Sequence, residues 1–288
     1  MSSTETERAT LLVSCADRRG IVAALAQVLY GHGANILDSD QHTDAEAAQF
    51  FQRLHFDLSD LQSDRGTLER AIAEVASRFG MRYELRYRAR AKRVALFVSR
   101  YDHCLYDLLL RHQSGELRCE LPLIVSNHPE LERVARQFGV DFRVIPVSAE
   151  SKPAAEAAEL ALLAEQGIDL LVLARYMQIL SGPFVTNFAG KIINIHHSFL
   201  PAFVGGKPYH QAYQRGVKLI GATAHYASAV LDEGPIIEQD VVRCTHKDSV
   251  DDLVRKGRDL EKVVLARAVR LHLEDRVLEY GNKTVVFE

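Results

Sequence analysis

The chain has 288 residues, of which 47% are hydrophobic and 25% charged, and its net charge is −3 at neutral pH. That length suits two domains with ordinary cores, and the lack of a basic excess argues against a nucleic-acid partner. No apolar run approaches the ~20 residues of a membrane span, and Met1 to Thr10 is polar and acidic, unlike a signal peptide.

In chain order, Thr10–Cys15 reads as a strand, and Asp17 is positioned to cap a helix that runs to Tyr30 and stops at Gly31 and Gly33. Asn35–Gln41 and Gln49–Leu58 read as strands, Thr67–Phe79 as a helix and Met81–Tyr87 as a strand. The order βαββαβ predicts a ferredoxin-like unit over residues 1–87. The basic run Arg86–Arg93 that follows is expected to be a solvated strand end and linker rather than an RNA-binding patch.

Residues 88–288 change pattern. Val94–Ser99, Leu121–Ser126, Phe142–Pro146, Leu170–Leu173 and Ile192–His196 are apolar strand candidates. Helical patterns at Asp102–Arg111, Pro129–Phe138 and Ser151–Gln166 separate most of them, which predicts a doubly wound, mostly parallel α/β sheet of Rossmann-like type. Lys218–Tyr226 and Pro235–Val242 read as a strand pair and Ser249–Leu273 as a long closing helix.

The chemistry concentrates where one of these strands ends, in Asn194-Ile195-His196-His197-Ser198-Phe199-Leu200-Pro201. Alternate side chains of a strand share a face, so Asn194 and His196 are expected to point one way and His197 the other. An amide and an imidazole at a strand end, with a carboxylate such as Asp232, suit acyl-type chemistry on a carbonyl. Taken singly, the Asn is a turn residue, the His a structural one, and Asp232-Glu233-Gly234 a loop turn. A metal centre from His196, His197, His210 and Asp232 is disfavoured, because adjacent strand residues diverge. The four cysteines, Cys15, Cys104, Cys119 and Cys244, have neither disulfide nor zinc-ligand spacing, consistent with a reducing, cytoplasmic setting.

The run 194–201 resembles the N-x-H-x-S-x-L-P signature of folate-dependent formyltransferases. Gly221–Tyr226 with Leu231–Ile237 resembles the block that carries that family's aspartate, and Ala174–Ser181 the segment whose backbone holds the pterin ring. The resemblance implies a formyltransferase-like domain with Asn194, His196 and Asp232 as catalytic residues. It also implies Met177, Gln178, Ile179, Leu180, His225 and Leu231 as the substrate-binding set, with 10-formyltetrahydrofolate as substrate and no cofactor or metal. Gln178 departs from the arginine usual in transformylases.

Leu11–Cys15, Asp17–Val22 and Gly33–Ile36 are similar to the ACT module, which implies an amino-acid effector near Asp17, Gly20 and Asn35 and a homodimer or homotetramer. Arg18-Arg19 departs from the small residue expected beside the glycine and leaves the effector's identity open. An ACT module ahead of a formyltransferase-like domain resembles the layout of the formyltetrahydrofolate deformylase family. That likeness implies hydrolysis of 10-formyltetrahydrofolate to formate and tetrahydrofolate, with formate feeding purine synthesis. The place where glycinamide ribonucleotide transformylases cradle the acceptor phosphate corresponds to Ser99–Leu105, which has no glycine and carries Asp102. Water is then the expected nucleophile. The alternatives are transfer to a non-phosphorylated amine, with Lys207, Tyr209 and His210 as acceptor contacts, and a non-catalytic amino-acid sensor.

Overall fold

A computed structural model describes residues 7–88, 90–202 and 208–288; Lys207 falls outside them. Two compact units result. The first contains Met1–Ala91 with Asp275–Leu278 and Val285–Glu288, and the second contains Lys92–Glu274 with Glu279–Thr284.

In the first unit, β1 (Arg8–Ala16), α1 (Ile21–Gly31), β2 (Asn35–Asp44), β3 (Gln49–Asp57), α2 (Arg65–Phe79) and β4 (Arg82–Tyr87) follow the βαββαβ order expected from the sequence. The sheet runs β2-β3-β1-β4, with every neighbouring pair antiparallel. Leu11, Val13 and Cys15 alternate along β1 and join Leu25 and Leu29 of α1 and Leu68 and Ile72 of α2 in one core. One local expectation fails. Asp17 does not cap α1; Gly20, at φ +92°, takes the cap position, and the Asp17 amide donates to the Ala48 carbonyl at 2.9 Å.

The second unit holds β5 (Lys92–Val98), α3 (His103–Gln113), β6 (Cys119–Ser126), α4 (Glu132–Phe138), β7 (Asp141–Val144), α5 (Lys152–Glu165), β8 (Leu170–Leu173), α6 (Gly182–Asn187) and β9 (Ile192–His196). After these come α7 (Pro208–Arg215), β10 (Leu219–Tyr226), β11 (Ile236–Arg243), α8 (Val250–Leu273), and a short pair, β12 (Val277–Tyr280) and β13 (Lys283–Val286). The main sheet is ordered β11-β10-β9-β8-β5-β6-β7. Strands β9 to β7 in that order are parallel, and β10 and β11 extend the sheet antiparallel. Strand β5 sits in the middle. The chain winds one way from it through β6 and β7, then crosses to its other side at β8. The C-terminal ends of β5 and β8 therefore flank a topological switch point, where a crevice opens in sheets of this kind.

Candidate active site

The loops at that switch point build a cleft of about 580 Å³, within the usual range for a small-molecule site. The loop after β5 contributes Tyr101, and His103 opens α3. The loop after β8 contributes Arg175–Leu180, and the end of β9 with the residue after it contributes Asn194–His197. His225 comes from β10, Leu231 and Asp232 from the β10–β11 loop, and Arg258 and Glu261 from α8.

Asn194 and His196 are two apart on β9, so the pleat sends both toward one side. Asp232 reaches them because the β10–β11 loop folds back tightly. The Tyr226 amide donates to the Pro235 carbonyl at 2.9 Å, and Gly234 passes so close to the Tyr226 carbonyl that no Cβ would fit. Asp232 itself adopts φ +58°, a conformation that Asp tolerates better than most residues. Its Oδ2 lies 3.2 Å from His196 Nδ1, and both side chains are more than nine-tenths buried.

His225 fixes the third member. Its Nδ1 donates to the Tyr226 carbonyl at 2.9 Å, so in the neutral ring Nε2 accepts from the Asn194 amide at 3.2 Å. The same Nε2 lies 3.7 Å from Asp232 Oδ1, too far for a hydrogen bond. Burial alone would raise the Asp232 pKa, but the hydrogen bond from His196 and the neighbouring imidazoles outweigh it and hold the carboxyl well below the ordinary carboxylate range. Asp232 is thus an anion that anchors His196 Nδ1. The opposite atom, His196 Nε2, is buried, has no hydrogen-bond partner and belongs to the cleft wall.

The sequence placed His197 away from this group, and the structure differs. Strand β9 stops at His196, so the alternation does not extend to His197, which also lines the cleft. Its ring meets that of His196 edge-on at 5.1 Å and that of Tyr209 at 6.0 Å. Burial, the nearby Arg175 and His196 push its pKa down to about 4, so it is neutral at physiological pH.

Met177, Gln178, Ile179, Leu180 and Leu231 also line the cleft. Met177, Ile179 and Leu231 are all more than half exposed, an apolar rim suited to a flat ring. The segment is pinned from behind. The Met177 amide donates to Ser99 Oγ at 2.9 Å, Ser99 donates to Asn127 at 2.6 Å, and Lys152 Nζ donates to the Ile179 carbonyl at 2.5 Å. Asp17 and Gly20 lie in the β1–α1 turn and Asn35 opens β2, all three exposed to solvent.

The sequence reading missed a buried polar cluster centred on Glu261 of α8. Glu261 Oε1 accepts from the Tyr209 hydroxyl at 2.6 Å, Oε2 from His103 Nε2 at 2.8 Å, and Arg175 Nε lies 3.3 Å from Oε2. Burial would raise the Glu261 pKa, but His103, Arg175 and Tyr209 hold it below its ordinary value. A glutamate amid the apolar periodicity of a long helix is the signal that would have marked it. His103, Cys104 and Glu261 lie close enough to surround an ion. Their chemistry fits one poorly: Glu261 already accepts two hydrogen bonds, and burial pushes the Cys104 thiol up, away from the thiolate a metal requires.

Two family models match the chain: the ACT domain over residues 9–73 and formyl transferase over residues 92–269. The chain is 58% identical to a formyltetrahydrofolate deformylase of Synechocystis sp., covering 97% of this chain and 98% of that one. It is 47% identical to one of Bacillus subtilis, covering 98% and 94%. The crystal structure of a formyltetrahydrofolate deformylase from Pseudomonas syringae pv. tomato superposes with a TM-score of 0.93 at 46% identity, covering 98% of this chain and 94% of the other. This chain belongs to the formyltetrahydrofolate deformylase family. The ACT module followed by a formyltransferase-like α/β domain, expected from the sequence, is the architecture observed. Among the described residues no helix is long and apolar enough to cross a membrane.

Proposed function

We propose that the chain hydrolyses 10-formyltetrahydrofolate to formate and tetrahydrofolate, with Asn194, His196 and Asp232 as its catalytic residues. The observation that carries this reading is the orientation of His196: Nδ1 is held by an anionic carboxylate at 3.2 Å, which leaves Nε2 unpartnered on the cleft wall. The pterin ring would rest on Met177–Leu180 and Leu231, with the formyl group turned toward β9. Water adds to the formyl carbon, and charge develops on the formyl oxygen. Asn194 and protonated His196 donate to that oxygen; such a donor is worth about 2.7–4 kcal/mol of barrier. Asp232 takes up the proton leaving water, and it is delivered to the folate nitrogen. The C–N bond then breaks, the nitrogen leaves as a neutral amine, and formic acid ionises to formate and a proton.

No cofactor or metal enters this scheme. The setting that fits is cytoplasmic, with formate feeding purine synthesis. The ACT module supports an amino-acid effector at Asp17, Gly20 and Asn35, in a homodimer or homotetramer. The test is to incubate purified protein with 10-formyltetrahydrofolate and no amine, and to follow formate. Formate release at a steady rate is expected; no formate, with the formyl group recovered on an amine once one is added, would make the protein a transferase instead.

A further inference from the structure

Seven buried side-chain nitrogen or oxygen atoms among the described residues lack a hydrogen-bond partner, and four of them belong to residues lining this one cleft: His196 Nε2, His197 Nδ1, His103 Nδ1 and Arg175 Nε. Orphaned polar groups at that depth are costly unless something fills the space beside them. The proposed reaction uses only the first. The other three belong to residues that line the cleft together with Tyr101 and Arg258 and make up its polar end, and of them only Arg175 Nε has an ion-pair contact, 3.3 Å from Glu261 Oε2.

The charge at that end is one-sided. The Arg175 and Arg258 guanidiniums lie 5.0 and 5.6 Å from the Tyr101 ring. Only Glu261 opposes them, and its two oxygens are engaged by Tyr209 and His103. Arg258 is exposed and has no carboxylate partner among the described residues. Arg175 is buried with φ +66°, an unfavourable backbone state for a branched-off long side chain, and such strain gathers at binding sites. Two guanidiniums against one saturated carboxylate leave net positive charge in a partly desolvated space. An ammonium would be repelled there and a small planar anion attracted.

We infer that this polar end, formed by Tyr101, His103, Arg175 and Arg258, is a subsite for a small carboxylate, and that its ligand is the formate produced at His196. The assignment to formate rests on the proposed hydrolysis. Formate is released between the apolar rim, which holds tetrahydrofolate, and a cationic chamber that can receive it. Fork-like guanidinium donors match the two oxygens of a carboxylate.

The experiment is a titration of ¹³C-formate with the intact protein, without folate, followed by NMR line width. Saturable broadening by the wild-type protein is expected, about tenfold weaker in Arg258→Gln and only partly regained in Arg258→Lys, which restores the charge without the fork. Arg258 is exposed, so these substitutions do not test folding. No saturable broadening, or equal broadening in Arg258→Gln, overturns the subsite, since formate held by His196 alone would be indifferent to Arg258. Displacement of formate by inorganic phosphate at roughly tenfold lower concentration would give the chamber to a phosphorylated molecule and overturn the assignment. Turnover without formate binding would sink the subsite and leave the deformylase reading standing; binding without turnover would sink that reading and with it the assignment to product formate, leaving only a site for a small carboxylate.

Discussion

Asn194, His196 and Asp232 each carry a neighbour that decides which atom faces the cleft. His225 holds the Asn194 amide at 3.2 Å, and Asp232 holds His196 Nδ1 at the same distance. Asn194→Ala should lower kcat about 100- to 1000-fold with little change in binding of a non-hydrolysable folate, because its donor matters only as charge develops on the formyl oxygen. Asp232→Asn should abolish turnover while folate still binds, since the amide can no longer stabilise a charged His196. Steady-state kinetics beside calorimetric folate titration separates these effects, and equal loss of binding and turnover would count against both assignments. These three residues were legible because ordered sequence blocks carry them. His225 was legible only as one of the substrate-binding set that the resemblance implied; its grip on Asn194 depends on strand pairing, in which His225 lies opposite Asn194.

At the scale of elements, α8 and α5 each bury a glutamate against a tyrosine from a different element, which no local pattern announces. On α8, Gly257 lets Tyr209 lie against the helix, and a Cβ there would strike the Tyr209 hydroxyl and ring. Gly257→Ala should therefore displace Tyr209 and break its 2.6 Å bond to Glu261, at a cost of about 1–3 kcal/mol in the unfolding midpoint, even though alanine favours helix. A stabilised variant would show that Tyr209 yields freely. On α5, Glu159 is 1% exposed and accepts from Tyr176 at 2.8 Å, and burial raises its pKa to about 7. An acid raised on folding contributes stability that is full below its unfolded value near 4.5 and is lost as pH rises through 7. Glu159→Gln keeps an acceptor for Tyr176 without the charge. It should raise the melting temperature at pH 8, by an amount equivalent to at most about 3 kcal/mol, and do little at pH 4. Thermal melts at the two pH values decide this; an equal effect at both would remove ionisation as the cause. The long helix itself was legible as Ser249–Leu273, and the structure opens it with a capping box in which the Ser249 side chain and Asp252 cap each other's backbone.

For the whole molecule, alternation and helical period carry most of the architecture, because the central strands β5, β8 and β9 carry apolar runs and the long helices have an apolar stripe. The C-terminus is where they run out. Residues Asp275–Leu278 and Val285–Glu288 belong to the first unit, some two hundred residues away in sequence, while Glu279–Thr284 belongs to the second. The links are tertiary: the Asp275 carboxylate accepts from Arg86 at 2.8 Å, its carbonyl accepts from Arg53 at 2.9 Å, and the Phe287 amide donates to the Arg276 carbonyl at 2.9 Å. A short polar segment ending in Val285, Val286 and Phe287 has no periodicity from which to read that return. Phe287 is 1% exposed, so Phe287→Ala should remove a large buried ring at a cost of about 3–5 kcal/mol. Because the ring belongs to the first unit, hydrogen exchange should quicken in β1, β3 and β4 while β5, β8 and β9 keep their protection. Loss of protection in β5 and β8 with β1 unchanged would place the tail's stabilising role in the catalytic unit instead.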